Sequence, residues 1–197
     1  MKQERAARTR RVLVRAAAEE LDRNGYEGTS LVRICRTAEV SMGALTFHFS
    51  TKSQVADEVQ AQGRAATCGL VAQVVAAQGP ALRSVMELTV GLAGLLDRDV
   101  TVRSAARLSR ERPGEAADWG SAWLPVVREL LERAGRDGEL QPATRPRTLE
   151  ALVAYLMAGA EAHIRACADG TESALPDAGA QLEQIWQLFQ QGAVPAR

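Results

Sequence analysis

The chain has 197 residues, of which 46% are apolar and 24% are charged, and its formal net charge at pH 7 is zero. This composition excludes a largely disordered chain and suits one domain, or a small module joined to a larger one. A charged N-terminus and the lack of any 18-residue apolar run predict no signal peptide and no membrane-spanning helix. Three scattered cysteines match no metal-ligand spacing and indicate a reducing compartment, so we expect a cytoplasmic protein without a bound metal.

Basic charge is concentrated at the N-terminal end of the chain. Residues 1–64 carry eleven Lys and Arg against eight Asp and Glu, whereas the remaining residues carry thirteen against sixteen. Basic charge at one end is the pattern expected when only that end contacts nucleic-acid phosphates. Arg5 and Arg8 are therefore predicted to contact phosphates, with a solvated helix face as the alternative.

Apolar residues recur at helical spacing along the chain, and no segment alternates apolar and polar residues as a strand does. The pattern therefore predicts an all-α fold of about nine helices. The first helix is expected to stop near Asn24-Gly25, and a second to follow a cap at Thr29 or Ser30. A short third helix, capped by Ser41, is expected to end at about His48.

Six further helices are predicted after the third. The fourth opens at residues 50–52 and runs to Gln78, before a clear boundary at Gly79-Pro80. The others are expected over Ala81–Leu96, Val100–Arg110 and Ser121–Gly135, and around the apolar stripes 149–156 and 182–189. These last two stripes could form either a subunit interface or ordinary core.

Residues 30–48 have the organisation of a helix-turn-helix, with a break at Glu39-Val40 before the short third helix. That helix begins with small or unbranched side chains, which would let its backbone come close to base edges. Leu45 and Phe49 can anchor it to a core, and Lys52 at the start of the next helix is placed to meet a phosphate. Periodicity alone leaves a plain helical hairpin as an equal alternative.

The run Asn24-Gly25-Tyr26-Glu27-Gly28-Thr29-Ser30, followed by Ala44–Lys52, resembles the DNA-binding domain of the TetR family of transcriptional repressors. The resemblance covers about residues 8–56. It implies a DNA-binding head over residues 1–52, a ligand-binding and dimerisation body over residues 53–197, and a homodimer formed through the last two helices. The DNA-binding residues predicted on this basis are Arg5, Arg8, Thr29, Ser41, Met42, Gly43, Ala44, Thr46, Phe47, His48 and Lys52.

Two residues depart from the usual pattern of that family. Thr46 stands where a phosphate-binding tyrosine is common, so its hydroxyl sits on a shorter arm. Glu39 stands where the turn usually has glycine, so we expect backbone strain at this position. Both departures bear on the operator sequence more than on DNA binding itself.

The second half of the chain resembles the γ-butyrolactone receptors and their antibiotic-sensing relatives within that family. The matching residues are Val102–Leu108, Trp123, Leu130–Ala134, Gly138–Leu140 and Ala158-Gly159. The resemblance implies that Trp123 lies in a ligand pocket, where an indole would suit a lactone ring, although a tryptophan is also a common core residue. Trp119, one turn earlier, is expected at the surface or in a lid. The predicted ligand-binding residues are Trp123, Val127, Leu130, Leu92, Leu108 and Ala158.

The two resemblances imply a repressor that a hydrophobic metabolite, of γ-butyrolactone or antibiotic type, releases from double-stranded operator DNA. No cofactor is expected. A constitutive DNA-binding regulator without a ligand is the main alternative. A small-molecule hydrolase is disfavoured, because the sequence has no glycine-rich phosphate loop, no metal-spaced cluster and only two histidines. We therefore expect that the chain is not an enzyme.

Overall fold

A computed structural model describes residues 2–114, 118–168 and 177–193 of the chain. These residues form nine α-helices and one short 3-10 helix, Gly120–Ala122, and contain no β-strand. The predicted all-α fold is confirmed. The α-helices are α1 (Lys2–Gly28), α2 (Leu31–Ala38), α3 (Met42–His48), α4 (Lys52–Ala76), α5 (Ala81–Arg98), α6 (Val100–Glu111), α7 (Leu124–Arg136), α8 (Pro146–Ala168) and α9 (Ala178–Ala193).

The helix ends follow the local chemistry of the sequence. Helix α1 continues past the predicted stop, but its backbone leaves the helical region at Gly25, where φ is 69° and ψ is 179°. Glycine adopts this conformation without a steric penalty, so the predicted interruption is present inside the helix. Pro125 lies in the first turn of α7, where its missing N–H costs no helical hydrogen bond.

The chain divides into two compact units, Met1–Ala66 with Asp99–Gly120, and Thr67–Arg98 with Ser121–Arg197. The first unit packs α1, α2, α3, α6 and the start of α4 around one apolar core. Side chains from all of these helices are fully buried there, including Leu13, Ile34, Leu45, Val59 and Leu108. Helix α6 is also tied to α1 by a 2.6 Å hydrogen bond from the Ser104 hydroxyl to the Ala18 carbonyl oxygen. The boundary predicted between residues 52 and 53 stays a prediction.

The second unit packs α5, α7, α8 and α9 against one another. Its core contains Leu88, Leu131 and Met157, each at most 1% exposed. Trp186 of α9 is fully buried, and its indole Nε1–H donates a 2.8 Å hydrogen bond to the hydroxyl of Thr89 on α5. Apolar burial therefore holds this unit together, and the one polar tip of the tryptophan is satisfied. Among the described residues we find no helical segment with the length and hydrophobicity that a membrane span requires.

Candidate nucleic-acid interface and ligand site

Both helices of the helix-turn-helix begin with a serine cap. The Ser30 hydroxyl accepts a 3.3 Å hydrogen bond from the Arg33 backbone N–H, and the Ser41 hydroxyl accepts a 3.2 Å bond from that of Ala44. These bonds satisfy donors that the first turn of each helix leaves open. Of the two predicted caps for α2, the structure uses Ser30.

The turn between α2 and α3 is closed at Glu39. This residue has φ 54° and ψ 39°, in the left-handed region, and its N–H donates to the Arg36 carbonyl oxygen at 3.2 Å. The Val40 N–H donates to the Cys35 carbonyl oxygen at 3.1 Å, which completes a Schellman end. A glutamate pays a steric penalty in this conformation that glycine does not. The strain expected at Glu39 is therefore present.

Helix α3 presents one face to solvent and one to the core. Met42, Gly43, Thr46 and Phe47 are exposed, and at helical spacing they form a single continuous face. On the other side, Leu45 is fully buried and Phe49, just past the helix end, is 5% exposed. The two anchors named from sequence therefore orient α3 so that Phe47 projects outward, with 79% of its surface exposed.

Most residues predicted to contact DNA lie on accessible surface. Arg5 and Arg8 are exposed on α1, Ser41 is exposed at the cap, and Ala44 and His48 are half-buried on α3. The His48 ring packs edge-on against Phe47, with ring centres 5.0 Å apart. The Thr46 hydroxyl lies 3.3 Å from the Gly43 carbonyl oxygen of the preceding turn. These positions are compatible with DNA contacts, and their role stays a prediction.

Thr29 is placed differently from the expectation. Its side chain is buried, and its hydroxyl lies 2.7 Å from the Gly25 carbonyl oxygen and 3.1 Å from that of Glu20. Both oxygens belong to the last turns of α1. Thr29 therefore stabilises the end of that helix, and its side chain offers no surface to DNA in this conformation.

Lys52, predicted to meet a phosphate, is half-buried and engaged with Tyr26. A buried arginine just after α6, Arg112, engages the same residue, with its guanidinium carbon 4.6 Å from the centre of the Tyr26 ring. Arg112 also donates to Ser53 at 2.7 Å and to Asp57 at 2.9 Å, both in the first turns of α4. The start of α4 is therefore held by charge-assisted bonds. Arg112 was not predicted as part of this site, because nothing in its local sequence indicates that it is buried.

A bidentate ion pair between Arg10 and Glu58 joins the N-terminal half of α1 to α4. The Arg10 guanidinium donates to both carboxylate oxygens of Glu58, at 2.8 and 2.6 Å. This hydrogen bonding holds the pKa of the Glu58 carboxyl below its usual value, against the opposing effect of partial burial. The Arg10 guanidinium carbon also lies 5.3 Å from the centre of the Phe49 ring.

Four of the predicted ligand-binding residues are buried in the second unit. Trp123 immediately precedes α7, Val127 and Leu130 lie on that helix, and Leu92 lies on α5. All four belong to the apolar interior of the unit. The described ranges contain no group of three His, Cys, Asp or Glu side chains able to hold a metal ion.

The other two predicted ligand-binding residues lie elsewhere. Leu108 is in the core of the first unit, because α6 packs its apolar face on α1, and Ala158 is exposed on α8. Trp119 also differs from the expectation, since it is buried at 6% exposure and its backbone N–H donates to the Ser109 hydroxyl at 2.7 Å. A glycine-containing stretch therefore did not place this indole at the surface.

Helices α8 and α9 leave an apolar surface uncovered. Tyr155 is 75% exposed and Leu188 is 68% exposed. Neither is one of the apolar positions that define the two stripes, which are Leu149, Leu152, Val153 and Leu156 in the first and Leu182, Ile185, Trp186 and Phe189 in the second. Between these helices lies a groove of about 560 Å³, lined by Tyr155, Leu156, Gly159, Ala162, His163 and Ile185 among others. In the first stripe Val153 is buried and Leu156 is half-buried, whereas in the second Trp186 is buried and Ile185 faces solvent. Only part of each stripe is therefore fully buried in the core.

Comparison with known proteins supports the resemblance to TetR-family regulators. The chain matches the family described as "Bacterial regulatory proteins, tetR family" over residues 13–59. It is 28% identical over 188 residues to the A-factor receptor protein of Streptomyces griseus, a match that covers 94% of this chain and 64% of that relative's length.

Two solved structures share the fold over nearly the whole chain. A γ-butyrolactone receptor described as ArpA-like is 24% identical, with a TM-score of 0.78 and coverage of 98% of this chain and 90% of that one. Full-length TylP, a TetR regulator from Streptomyces fradiae, is 30% identical, with a TM-score of 0.58 and coverage of 99% of this chain and 83% of that one. The resemblance drawn from the helix-turn-helix and the body motifs is confirmed.

Proposed function

Because this chain belongs to the TetR family of bacterial regulatory proteins, we propose that it is a sequence-specific transcriptional repressor that a small metabolite releases from its operator. The observation that carries the proposal is the solvent-exposed face of α3, held outward by the buried Leu45 and Phe49. A short helix presented in this way can enter a major groove. The alternative of a plain helical hairpin gives no reason for one large apolar side chain, Phe47, to project from it.

DNA binding by this head would combine contacts to the phosphate backbone, which position the protein, with contacts to the bases, which recognise the sequence. The exposed Arg5 and Arg8 of α1 supply sequence-independent attraction to phosphates, whereas α3 supplies contacts to base edges. Lys52 is fixed by Tyr26 at the start of α4, so any phosphate contact there would need no further ordering of its side chain.

A homodimer through α8 and α9 would cover the exposed Tyr155, Ile185 and Leu188. Exposed apolar patches of this kind mark association surfaces in proteins of this size. Small residues beside them, Gly159 and Ala162, would allow a helix of a second copy to approach closely. Two heads related by a two-fold axis would then read a near-palindromic operator with half-sites roughly 34–36 Å apart.

The metabolite would be a hydrophobic molecule of γ-butyrolactone or antibiotic type, bound in the second unit. Support comes from the 28% identity to a receptor protein and from the buried Trp123, Val127, Leu130 and Leu92. Leu108 and Ala158 are not included in this lining, because Leu108 is in the core of the first unit and Ala158 is exposed on α8. The ligand can release the protein from DNA only if it binds the conformation with low DNA affinity more tightly than the conformation that binds the operator.

The test begins with selection of duplexes by the full chain from a random-sequence library. Fluorescence anisotropy at fixed salt then measures binding of the best duplex against a scrambled competitor. Titration with γ-butyrolactones of different alkyl length, and with antibiotics, should release the specific duplex. Trp123→Phe should raise the ligand concentration needed for half-release about tenfold while leaving DNA affinity unchanged, because it reduces the aromatic surface offered to the ligand. Leu149→Met, a volume-conserving change in the same unit, is the matched control.

Each outcome separates one part of the proposal from the others. Selection of a specific duplex and its release by a lactone or an antibiotic would support the whole. Specific DNA binding that none of these compounds weakens would contradict the proposed ligand class and favour a constitutive regulator. Failure of the library to yield any preferred sequence would contradict the DNA-binding function itself.

A further inference from the structure

We propose that the head recognises thymine through apolar contact with its C5 methyl group, made by Phe47 and Met42. The inference rests on the proposed function, since it names the base chemistry that α3 reads. The exposed face of α3 would then lie in the major groove of a duplex that has thymine at the contacted positions.

Helix α3 lacks the side chains that usually read bases by hydrogen bonds. Residues 42–48 are Met, Gly, Ala, Leu, Thr, Phe and His, with no Arg, Lys, Asn, Gln, Asp or Glu. Those six residue types make the directional pairs with guanine, adenine and cytosine edges. The cap hydroxyl of Ser41 already accepts the Ala44 N–H, and the Thr46 hydroxyl lies within bonding distance of the Gly43 carbonyl oxygen. Hydrogen-bonded readout by this face is therefore sparse.

The same face offers apolar surface instead. Phe47 is 79% exposed and Met42 is 39% exposed, and both lie in the arc that also contains Gly43 and Thr46. The thymine methyl is the one apolar group that a base pair displays in the major groove. An aromatic ring and a flexible thioether on the exposed face of this helix match that group in chemistry.

Gly43 leaves a notch between these two side chains. A Cβ at this position would lie 3.9 Å from the Ser41 Oγ, so among the described residues no neighbouring atom requires a glycine here. Its φ is not in the left-handed region either, because the only glycines with positive φ in the described ranges are Gly25, Gly114 and Gly138. The missing side chain instead opens the helix surface beside Phe47, where a methyl group could enter.

The surroundings of the face favour duplex DNA over an apolar protein surface. Arg33 and Arg36 are exposed on α2, the helix that crosses the DNA backbone in this motif. Val32 on α2 is also 58% exposed, and with Met42 and Phe47 it is the third large apolar side chain exposed on the helix-turn-helix. An apolar reading face with arginines on the neighbouring helix suits a polyanion that displays methyl groups.

The experiment compares thymine with uracil, which differ only by the methyl group. The duplex selected from the random library is resynthesised with one thymine at a time replaced by deoxyuridine. Kd is measured by anisotropy at fixed salt for the wild type, Phe47→Ala and Met42→Ala. We expect at least one replacement to weaken wild-type binding about fourfold, the effect of one buried methyl group. The same replacement should change the affinity of Phe47→Ala or Met42→Ala less than twofold.

The control variant is Val75→Ala, which removes a 50% exposed apolar side chain from α4 outside the head. It should keep the full wild-type sensitivity to uracil. Thermal melting must show that the Phe47 and Met42 variants fold as the wild type does, which their exposure favours. Specific binding that no uracil replacement weakens would overturn this inference and leave the proposed function standing. An equal uracil effect in the wild type and both variants would also overturn it, whereas failure to select any duplex would contradict the proposed function.

Discussion

The Lys52 ammonium lies 4.1 Å from the centre of the Tyr26 ring and donates a 2.9 Å hydrogen bond to the Tyr26 carbonyl oxygen. The Arg112 guanidinium lies 4.6 Å from the same ring centre, so one aromatic ring serves two cations. Tyr26 is in the last turn of α1, Lys52 starts α4, and Arg112 follows α6. This ring therefore ties together three helix ends of the first unit.

Replacing Tyr26 with leucine should lower the free energy of unfolding by about 1–3 kcal/mol, because two cations lose their aromatic partner and one of them is buried. Urea unfolding at neutral pH measures the change. Tyr26→Phe keeps the ring and should stay within about 0.5 kcal/mol of the wild type. Equal losses in the two variants would show that the ring face is not what holds these side chains.

Replacing Glu39 with glycine should stabilise the protein by about 0.5–1 kcal/mol. Glu39 has φ 54°, a conformation in which a Cβ is strained and glycine is not. Glu39→Ala keeps the Cβ and serves as the control, since it removes the carboxylate without relieving the strain. A rise in Tm for the glycine variant alone is expected. A rise of the same size in both variants would assign the effect to the charge.

Replacing Gly63 with alanine should destabilise the protein by about 1–3 kcal/mol. A Cβ on Gly63 of α4 would lie 2.6 Å from the Ala105 Cβ and 2.6 Å from the Thr101 carbonyl oxygen of α6. Both are rigid, so the helices would have to move apart. Gly69→Ala is a matched change on the same helix, where no atom of the described part of the chain would lie within 4 Å of the new Cβ, and it should stabilise by up to about 1 kcal/mol. Comparable losses at both sites would contradict the close approach of α4 and α6.

Local signals account for much of what the sequence predicted. Ser30 and Ser41 cap helices because short hydroxyl side chains reach open backbone donors, and Gly25 interrupts α1 because glycine tolerates positive φ. Leu45 and Phe49 were recognised as anchors, and their spacing of four residues places both on the inner side of α3 and its C-terminal cap. In each case the cause lies within a few residues of the effect.

Features that depend on distant segments were not predictable in the same way. Leu108 was assigned to a ligand site, yet it is core of the first unit because α6 packs on α1, more than seventy residues away in sequence. Arg112 is buried for a similar reason, since it bonds Ser53 and Asp57 of α4, more than fifty residues earlier in the chain. Tyr155 and Leu188 were missed because periodicity does not distinguish a covered apolar face from an uncovered one.

Replacing Arg8 with alanine should weaken binding to every duplex by a similar factor. If Arg8 contacts a phosphate, the slope of log Kd against log salt should fall by about one unit, while sequence preference stays unchanged. Arg145→Ala removes an exposed arginine from the second unit and should leave the slope unaltered. A slope that Arg8→Ala does not change would place this side chain on a solvated face. A change of preferred sequence would instead indicate a base contact.

Acidification should destabilise the wild type partly through Glu58, whose pKa the Arg10 guanidinium lowers in the folded protein. A carboxyl with a lowered folded pKa adds stability above its unfolded value, near pH 4.3, and loses that contribution as the pH falls through the folded pKa. Glu58→Gln should therefore be less stable than the wild type at pH 7, and the gap should narrow below about pH 4. Arg10→Met should behave similarly, because it removes the hydrogen bonds that favour the ionised carboxyl. Urea unfolding at intervals between pH 3 and pH 7 measures both variants, and a gap that stays constant over this range would show that the ion pair contributes no pH-dependent stability.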